Sequence, residues 1–311
     1  MTITDNISFF LESKAFFGSF PTQSEVNYME DKMNTRIFID LTYRSETKII
    51  PYTTKYTYIS YPICDKSVPG DINTFISFII HIANDISNLE SSETAYLHCK
   101  GGHGRSGVVV ASLIAHMMNK DAMESLSITN ECHSRRRMMR ERWRLIGSPQ
   151  TITQKKFVCR LFSDMFFYIN SKGNQTYGFS NHSRVPVTTS LGTFPTVEAA
   201  INAMRRPDDC KYVTKQKNTR SANHSRILSV AVGPTSVWSD AYYDISLNII
   251  RLKFNQHTDL RYRLMSTGLR RLVFRNKDEL YWGDGGGTGY GRNILGKILM
   301  IIRQELMLQY D

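Results

Sequence analysis

"HCKGGHGRSG", residues His98 to Gly107, decides the fold of the first half of the chain. It closes a short β-rich run, "TAYLHC", and opens a long apolar one, "SGVVVASLIAHMM". Strand, tight glycine turn and buried helix, in that order, are the elements of an α/β layer. Gly101, Gly102 and Gly104 lie between Cys99 and Arg105. Glycine tolerates positive φ and leaves room, so successive backbone N–H groups can point into one concavity. A helix starting directly behind that turn adds its dipole in favour of an anion. Arg105 can hold two phosphate oxygens as a fork. The same field favours a thiolate at Cys99, a nucleophile near neutral pH. Ser106 offers a hydroxyl beside the sulfur that can help it leave in a second step. A glycine turn with an incidental thiol is the competing reading, and the length and order of the motif speak against it.

Working outward, "IFIDLT" (Ile37 to Thr42) and "YTYISYPI" (Tyr56 to Ile63) read as buried strands. Pro69 and Asp71 start a helix with Ile72, Phe75, Ile76, Ile79, Ala83 and Ile86 on one face. Strands alternating with helices predict a mostly parallel central sheet. "RRRMMRERW" (Arg135 to Trp143) reads as a solvated or ion-paired helix face, with a substrate- or partner-binding patch as the alternative. "GSPQT" breaks the chain before the helix "ITQKKFVCRLF", and a fresh pattern opens near Phe166. Two domains are therefore expected, 1–162 and 163–311. The second is α+β with more helix than strand, built on "TVEAAINAMRR", "DAYYDISLNIIRLKF", "DLRYRLMSTG" and a final "NILGKILMIIRQEL".

Charge narrows little. The net charge is +11. Residues 1–160 carry 19 basic and 16 acidic side chains, a balance of +3, and residues 161–311 carry 20 and 12, a balance of +8. Small phosphorylated ligands account for such an excess as well as nucleic acid does. The five Cys are odd in number and scattered, without metal-ligand spacing, so neither a disulfide framework nor a zinc site is expected. No signal-peptide pattern opens the chain, and the apolar run Val108 to Met118 is too short to cross a bilayer. A cytoplasmic protein without metal or cofactor is expected.

The loop carries the C-x5-R-[ST] signature and resembles the cysteine-dependent protein tyrosine phosphatase superfamily, nearer its dual-specificity branch. The resemblance spans about residues 14–160 and includes "FGSFPT", "DLT" and "YPICD". It implies Cys99 as nucleophile, Arg105 as phosphate clamp and a general acid upstream. Asp65, thirty-four residues before Cys99, fits that place, with a plain surface carboxylate as the competing reading. Asp71 reads better as a helix N-cap. Gln150 in "QTITQ" resembles the glutamine that positions the hydrolytic water. Lys100 and His103 depart from the small or apolar residues common in this loop and predict a more cationic pocket. His98 reads as a buried support of the loop.

The second half closes on "YWGDGGGTGYGRNILGKILMIIR", Tyr281 to Arg303. It fails the dinucleotide spacing G-x-G-x-x-G. It also misses the Walker hydroxyl, because Ile298 stands in its place. A loop so rich in glycine suits close backbone approach to a ligand, and Trp282 offers a stacking surface. Asn293 can cap the helix or bind a ligand hydroxyl. The segment resembles the NADAR superfamily, which includes YbiA-like proteins, through Trp282, Gly283, Gly285, Gly291, Asn293, Leu295, Gly296, Leu299, Met300 and Arg303. "GFSN" (Gly178 to Asn181), "PTVEAA", "KFNQHTDL" and "MSTG" follow in the family's order. The resemblance implies N-glycosidic chemistry on a ribosylated substrate, either a phosphoribosylamino-pyrimidine of riboflavin synthesis or an ADP-ribosyl group. Breaking a C–N glycosidic bond builds oxocarbenium character and calls for a carboxylate. Glu198 matches the family's acidic position, and Asp278 is the second candidate. Asn181, Trp238, Trp282 and Asn293 are the expected binding residues, with plain core packing as the competing reading for both Trp. Ala199 and Arg205 stand where the family commonly has His and Lys. The expected partners are a phosphorylated protein or small phosphorylated substrate and a ribosylated nucleotide-like substrate. No membrane partner is expected, and nucleic acid only as an ADP-ribosylated substrate. A catalytically silent ADP-ribose- or phosphate-binding half directing the other is the alternative arrangement.

Overall fold

A parallel strand pair needs a crossover between its members, and the first half of the chain supplies one after each strand that requires it. The computed structural model describes residues 6–169, 173–233 and 236–309, the side chains of 236–239 excepted. It divides into two units, Met1–Ser163 and Asp164–Asp311.

The first unit runs β1 (Ser8–Leu11), β2 (Ala15–Gly18), α1 (Gln23–Lys32), β3 (Thr35–Asp40), β4 (Thr57–Ser60), α2 (Ile72–Asn88) and β5 (Thr94–His98). Then come α3 (Arg105–Met117), α4 (Ala122–Ser134), α5 (Glu141–Ile146) and α6 (Ile152–Leu161). The sheet order is β1-β2-β5-β3-β4, with β1 antiparallel on one edge and the other pairs parallel. This is the expected α/β layer with a mostly parallel sheet. The β3–β4 crossover contains no helix; residues 41–56 form a long loop instead. Asp71 caps α2 by accepting from the Thr74 N–H at 2.7 Å, as its sequence position predicted. The buried face of α2 is wider than the spacing suggested: Phe78, Ile80 and Ile82 join Phe75, Ile79, Ala83 and Ile86. The second predicted strand is corrected. β4 spans four residues, and as the sheet's outer strand it is mostly exposed.

The second unit contains β6 (Asp164–Phe167), β7 (Val187–Thr189), β8 (Gly192–Phe194), α7 (Val197–Ala203), α8 (Cys210–Lys217) and α9 (Ala222–Val232). It continues with α10 (Ser236–Gln256), α11 (Thr258–Met265), β9 (Arg271–Phe274) and α12 (Ile294–Gln309). β6 and β9 pair in parallel, and β7 and β8 form a hairpin. The helix-rich α+β expectation holds. Phe167, Phe179, Phe254, Leu272, Ile298 and Leu299 centre its core. A Cβ on Gly296 would lie 2.1 Å from the Leu272 carbonyl oxygen, so glycine lets α12 lie directly on β9. Among the described residues no helix is long and apolar enough to cross a membrane.

Candidate active sites

In the first unit the loop at residues 99–104 joins the carboxyl end of β5 to α3, which starts with no side-chain cap. Its leading N–H groups thus remain available to an anion. Gly102 adopts φ +71° and packs against Gly18, where an added Cβ would meet backbone at 2.4 Å. Cys99 is buried at the base of the loop. Ser106 is fully buried and its hydroxyl has no hydrogen-bond partner among the described residues. It therefore makes no hydrogen bond to the Cys99 sulfur in this state.

Arg105 is 1 % exposed. Its Nη1 donates to the Ile63 carbonyl at 3.0 Å and to Glu46, and its Nη2 donates to the second Glu46 oxygen at 3.0 Å. Asp65 Oδ1 lies 3.2 Å from the same Nη2 while the Asp65 side chain remains 60 % exposed. Asp65 is therefore brought to Arg105 on a solvent-facing turn. Burial opposes the Arg105 charge, yet Glu46 and Asp65 raise it above its ordinary value. Burial likewise works against Glu46 ionising, but the Arg105 hydrogen bond, with the Arg105 and Lys100 charges, holds its carboxyl below the usual range. Lys100 thus contributes positive potential here. Glu46 was not legible in the sequence, because only the loop 41–56 brings it to the clamp.

His103 requires a correction. Burial and the nearby Arg136 push it down to about 4, so it is neutral and adds no charge. Its ring stacks on Trp143 at 4.8 Å, and its Nδ1 shares a 2.8 Å hydrogen bond with His133 Nε2. The basic stretch is corrected too. Arg136 is buried, donating to the Gly102 carbonyl at 2.8 Å, the Phe17 carbonyl at 3.1 Å and Ser8 Oγ at 3.2 Å. It braces the loop from behind. Gln150 lies beside the loop: a Cβ on Gly104 would lie 3.3 Å from its Oε1. Gln154 lies closer still, at 3.0 Å, and donates to the Ser67 carbonyl at 2.9 Å, tying the loop to the turn that carries Asp65. The "QTITQ" motif held both glutamines, and only the helix start at Ile152 brings the second alongside. His98 is fully buried, and burial pushes it down to about 4. It is held by Tyr52 Oη at 2.7 Å.

In the second unit a narrow pocket of about 10 Å³ collects Asn181, His182, Glu198, Glu279 and Trp282, with Phe274 behind them. That is room for about one water sphere. Glu198 sits in the first turn of α7, its backbone N–H donating to the Asn181 carbonyl at 3.1 Å. Burial raises its carboxyl above the ordinary value, partly offset by Arg226, Asn202 and Arg205, while Glu279 adds to the rise. Arg226 pairs with Glu279 at 3.1 Å. Asn181 is 3 % exposed and its Oδ1 has no partner among the described residues. Lys253, fully buried, donates to the carbonyls of Gly178 at 2.7 Å and Ser180 at 3.2 Å and so fixes the turn that carries Asn181. Burial pushes Lys253 down to about 7.

Three expectations for this site change. Asp278 is exposed, and its neighbour Glu279 lines the pocket. Asn293 is not available to a ligand: its Oδ1 accepts from the Phe274 N–H at 2.9 Å and its Nδ2 donates to the Leu272 carbonyl at 2.8 Å. Two glycines of the tryptophan loop face protein, since a Cβ on Gly283 would meet the Glu279 and Phe274 carbonyls, and one on Gly291 the Asp284 backbone. Trp282 lines the pocket edge-on to Tyr242 at 5.6 Å. The Trp238 side chain lies outside the described residues. Among the described residues no group of three or more His, Cys, Asp or Glu is placed to share a metal ion.

Residues 13–118 match the family described as "Polymorphic toxin system, DSP-PTPase phosphatase", and residues 166–307 match the "NADAR domain". The chain is 28% identical over 296 residues to "Putative tyrosine phosphatase 197R" of Invertebrate iridescent virus 6, covering 94% of this chain and 89% of that one. It is 31% identical over 180 residues to "Putative tyrosine phosphatase 067L" of Invertebrate iridescent virus 3, covering 57% and 74%. It is 33% identical over 138 residues to "N-glycosidase YbiA" of Escherichia coli (strain K12), covering 43% and 84%.

Proposed function

The chain belongs to two families at once, the DSP-PTPase phosphatases through its first unit and the NADAR family of YbiA through its second, and from that premise we propose that it is a bifunctional hydrolase. In the first unit Cys99 attacks the phosphorus of a phosphomonoester while Asp65 hands a proton to the leaving oxygen. Arg105 and the loop N–H groups hold the phosphoryl oxygens as charge shifts onto them. Asp65 swings off Arg105 as the phosphate arrives, because the two anions compete for one Nη2. Water then releases phosphate from the sulfur, oriented by Gln150 and Gln154, with the Ser106 hydroxyl assisting the thiolate as it leaves.

In the second unit Glu198 stabilises the oxocarbenium character that develops as the C–N bond breaks, water adds its oxygen to the anomeric carbon and its proton goes to the departing base nitrogen, and Asn181 and Trp282 orient the substrate. Glu279 replaces Asp278 as the second carboxylate of the mechanism. The substrate is a phosphoribosylamino-pyrimidine or an ADP-ribosyl group, met in the cytoplasm. The observation that carries the first assignment is Arg105, fully buried and fixed by Glu46 and Asp65 at the Cys99 loop. The constricted pocket and Arg205 in place of the family's Lys favour a second reading, in which this unit only binds its ligand.

Aryl-phosphate hydrolysis is the direct test of the first unit. Cys99→Ser should lower it by about 10⁴-fold or more, as removal of a covalent nucleophile does. Turnover that survives the substitution sinks the assignment. For the second unit, base release from ribosylated substrates should depend on Glu198→Ala. Tight binding without release selects the second reading.

A further inference from the structure

A cleft of about 470 Å³ opens beside the catalytic loop, and none of the chemistry above uses it. Resting on the phosphatase reading, we propose that this cleft is a subsite for the heteroaromatic base of a sugar-linked phosphate ester, making the first unit a phosphatase of nucleoside monophosphate-type substrates. Its size suits a single small-molecule group. Its walls are aromatic: Phe20, Tyr52, Tyr56 and Tyr58 all line it. Phe20 and Tyr58 each meet the Tyr52 ring edge-on, at 5.5 and 5.8 Å. Tyr56 and Tyr58 nonetheless leave 40 % of their surface to solvent. Arg36 lies over one face of the Tyr56 ring at 4.0 Å, and the aromatic surface left exposed in this concave site suits stacking with a flat ring.

The polar groups of the floor are already occupied. Asp40 accepts from Thr42 at Oδ1 and from Tyr58 at Oδ2, both at 2.7 Å. Tyr52 Oη is taken by His98. What remains for recognition is ring stacking and one cation, Arg44, which has no carboxylate partner among the described residues and whose charge works against the rise that burial and Asp40 impose on Tyr58.

Location selects the ligand. Asp40 on β3 is the register partner of His98 on β5, and Cys99 follows directly. Neighbouring strands lie about 4.8 Å apart, so the cleft floor is one strand spacing from the nucleophile's strand. Phe20 at the rim donates its backbone N–H to the Lys100 carbonyl at 3.2 Å, and Arg44 lies two residues before Glu46, the carboxylate on Arg105. A phosphotyrosine carries its ring directly on the phosphoryl oxygen, which keeps that ring over the loop itself. A ribose spacer displaces the ring sideways, as this cleft requires. The reaction is ordinary monoester hydrolysis: the P–O bond to the sugar breaks, water supplies the new P–O bond, and nucleoside and phosphate leave.

The test measures phosphate release by the full chain in a Glu198→Ala background, which silences the second site. Substrates are adenosine and uridine 5′-monophosphate, ribose 5-phosphate, which lacks the base, and p-nitrophenyl phosphate. The base should raise kcat/KM about tenfold or more over ribose 5-phosphate, chiefly through KM, the size of one stacked ring. Tyr56→Ala and Arg44→Ala should each remove most of that gain and leave p-nitrophenyl phosphate within about twofold. Equal kcat/KM with and without the base, or losses spread evenly over all substrates, overturns the subsite. Should p-nitrophenyl phosphate itself not be hydrolysed, the phosphatase reading falls instead. The cleft is then judged by calorimetry, where adenosine 5′-monophosphate must bind the full chain more tightly than ribose 5-phosphate and lose that margin in Tyr56→Ala.

Discussion

Residues 101–107 and 283–291 are both dense in glycine, and they use it differently. In the first loop Gly101 meets only His103 of its own turn, and the other three glycines face segments from elsewhere in the chain. Gly102 presses on Gly18, Gly104 on Gln150 and Gln154, and Gly107 on Ser148 and Pro149. In the second loop Gly291 presses on the Asp284 backbone of its own turn, Gly283 on the carbonyls of Phe274 and Glu279, and Gly289 has nothing within 4 Å of an added Cβ. There Asp284 ties the turn together, accepting from Arg275 Nε at 2.8 Å and the Gly286 N–H at 3.0 Å. Glycine density therefore reports backbone crowding. What the backbone is crowded against differs between the two loops, and sequence alone withholds that.

The sharpest way to break this comparison is Gly102→Ala. It puts a Cβ into backbone at a positive φ, so neither partner can yield. We expect a loss of about 4 kcal/mol and of phosphatase activity by more than about 10²-fold, measured by urea unfolding and aryl-phosphate turnover. A variant with unchanged kinetics would mean that the loop is not pre-set. Next comes Arg136→Met, which keeps the volume and strips three donors from buried acceptors. It should cost about 3 kcal/mol and lower kcat/KM for aryl phosphates, while base release by the second unit stays level.

Acid titration ranks third. His98 and His103 are each held near about 4, below the ordinary 6.5, so the fold keeps them neutral where the unfolded chain protonates them. The first unit should be fully stable above about pH 6.5 and lose stability as the pH falls towards 4, by roughly 3 kcal/mol for His98 alone. Urea midpoints at pH 7 and pH 4.5 check this, and a flat profile contradicts it. Last is Gly289→Ala, at φ +82° in open space. It should cost only about 1 kcal/mol and leave N-glycosidic turnover as it was. A large kinetic loss there would restore a ligand role to the tryptophan loop.

Much of the fold was legible in the sequence because its signals are local. The alternation of strand and helix pointed to the parallel sheet, and the order Cys99, glycines, Arg105 pointed to the loop. The misses arise from long-range placement. Glu46, Arg136 and Gln154 gain meaning only when a loop, a basic stretch and a helix start converge on residues 99–105. Asp278 and Glu279 differ by one step in a turn, and that step decides which carboxylate faces inward. Asn293 carries a family signature for a structural reason, since its amide bonds the edge of β9. His103 resembled a cation until its ring was found between Trp143 and His133.

Arg136 also has a consequence in time. The residues matched to the phosphatase family end at 118, yet the brace, the His133 and Trp143 contacts and the Gln154 strut all come later in the chain. A ribosome adding about 5–20 residues per second makes Gly107 roughly two to eight seconds before Pro149. During that interval the Cys99 loop exists without the Arg136 brace and the Gln150 and Gln154 contacts that hold it. Synthesis itself thus completes the loop's restraint last.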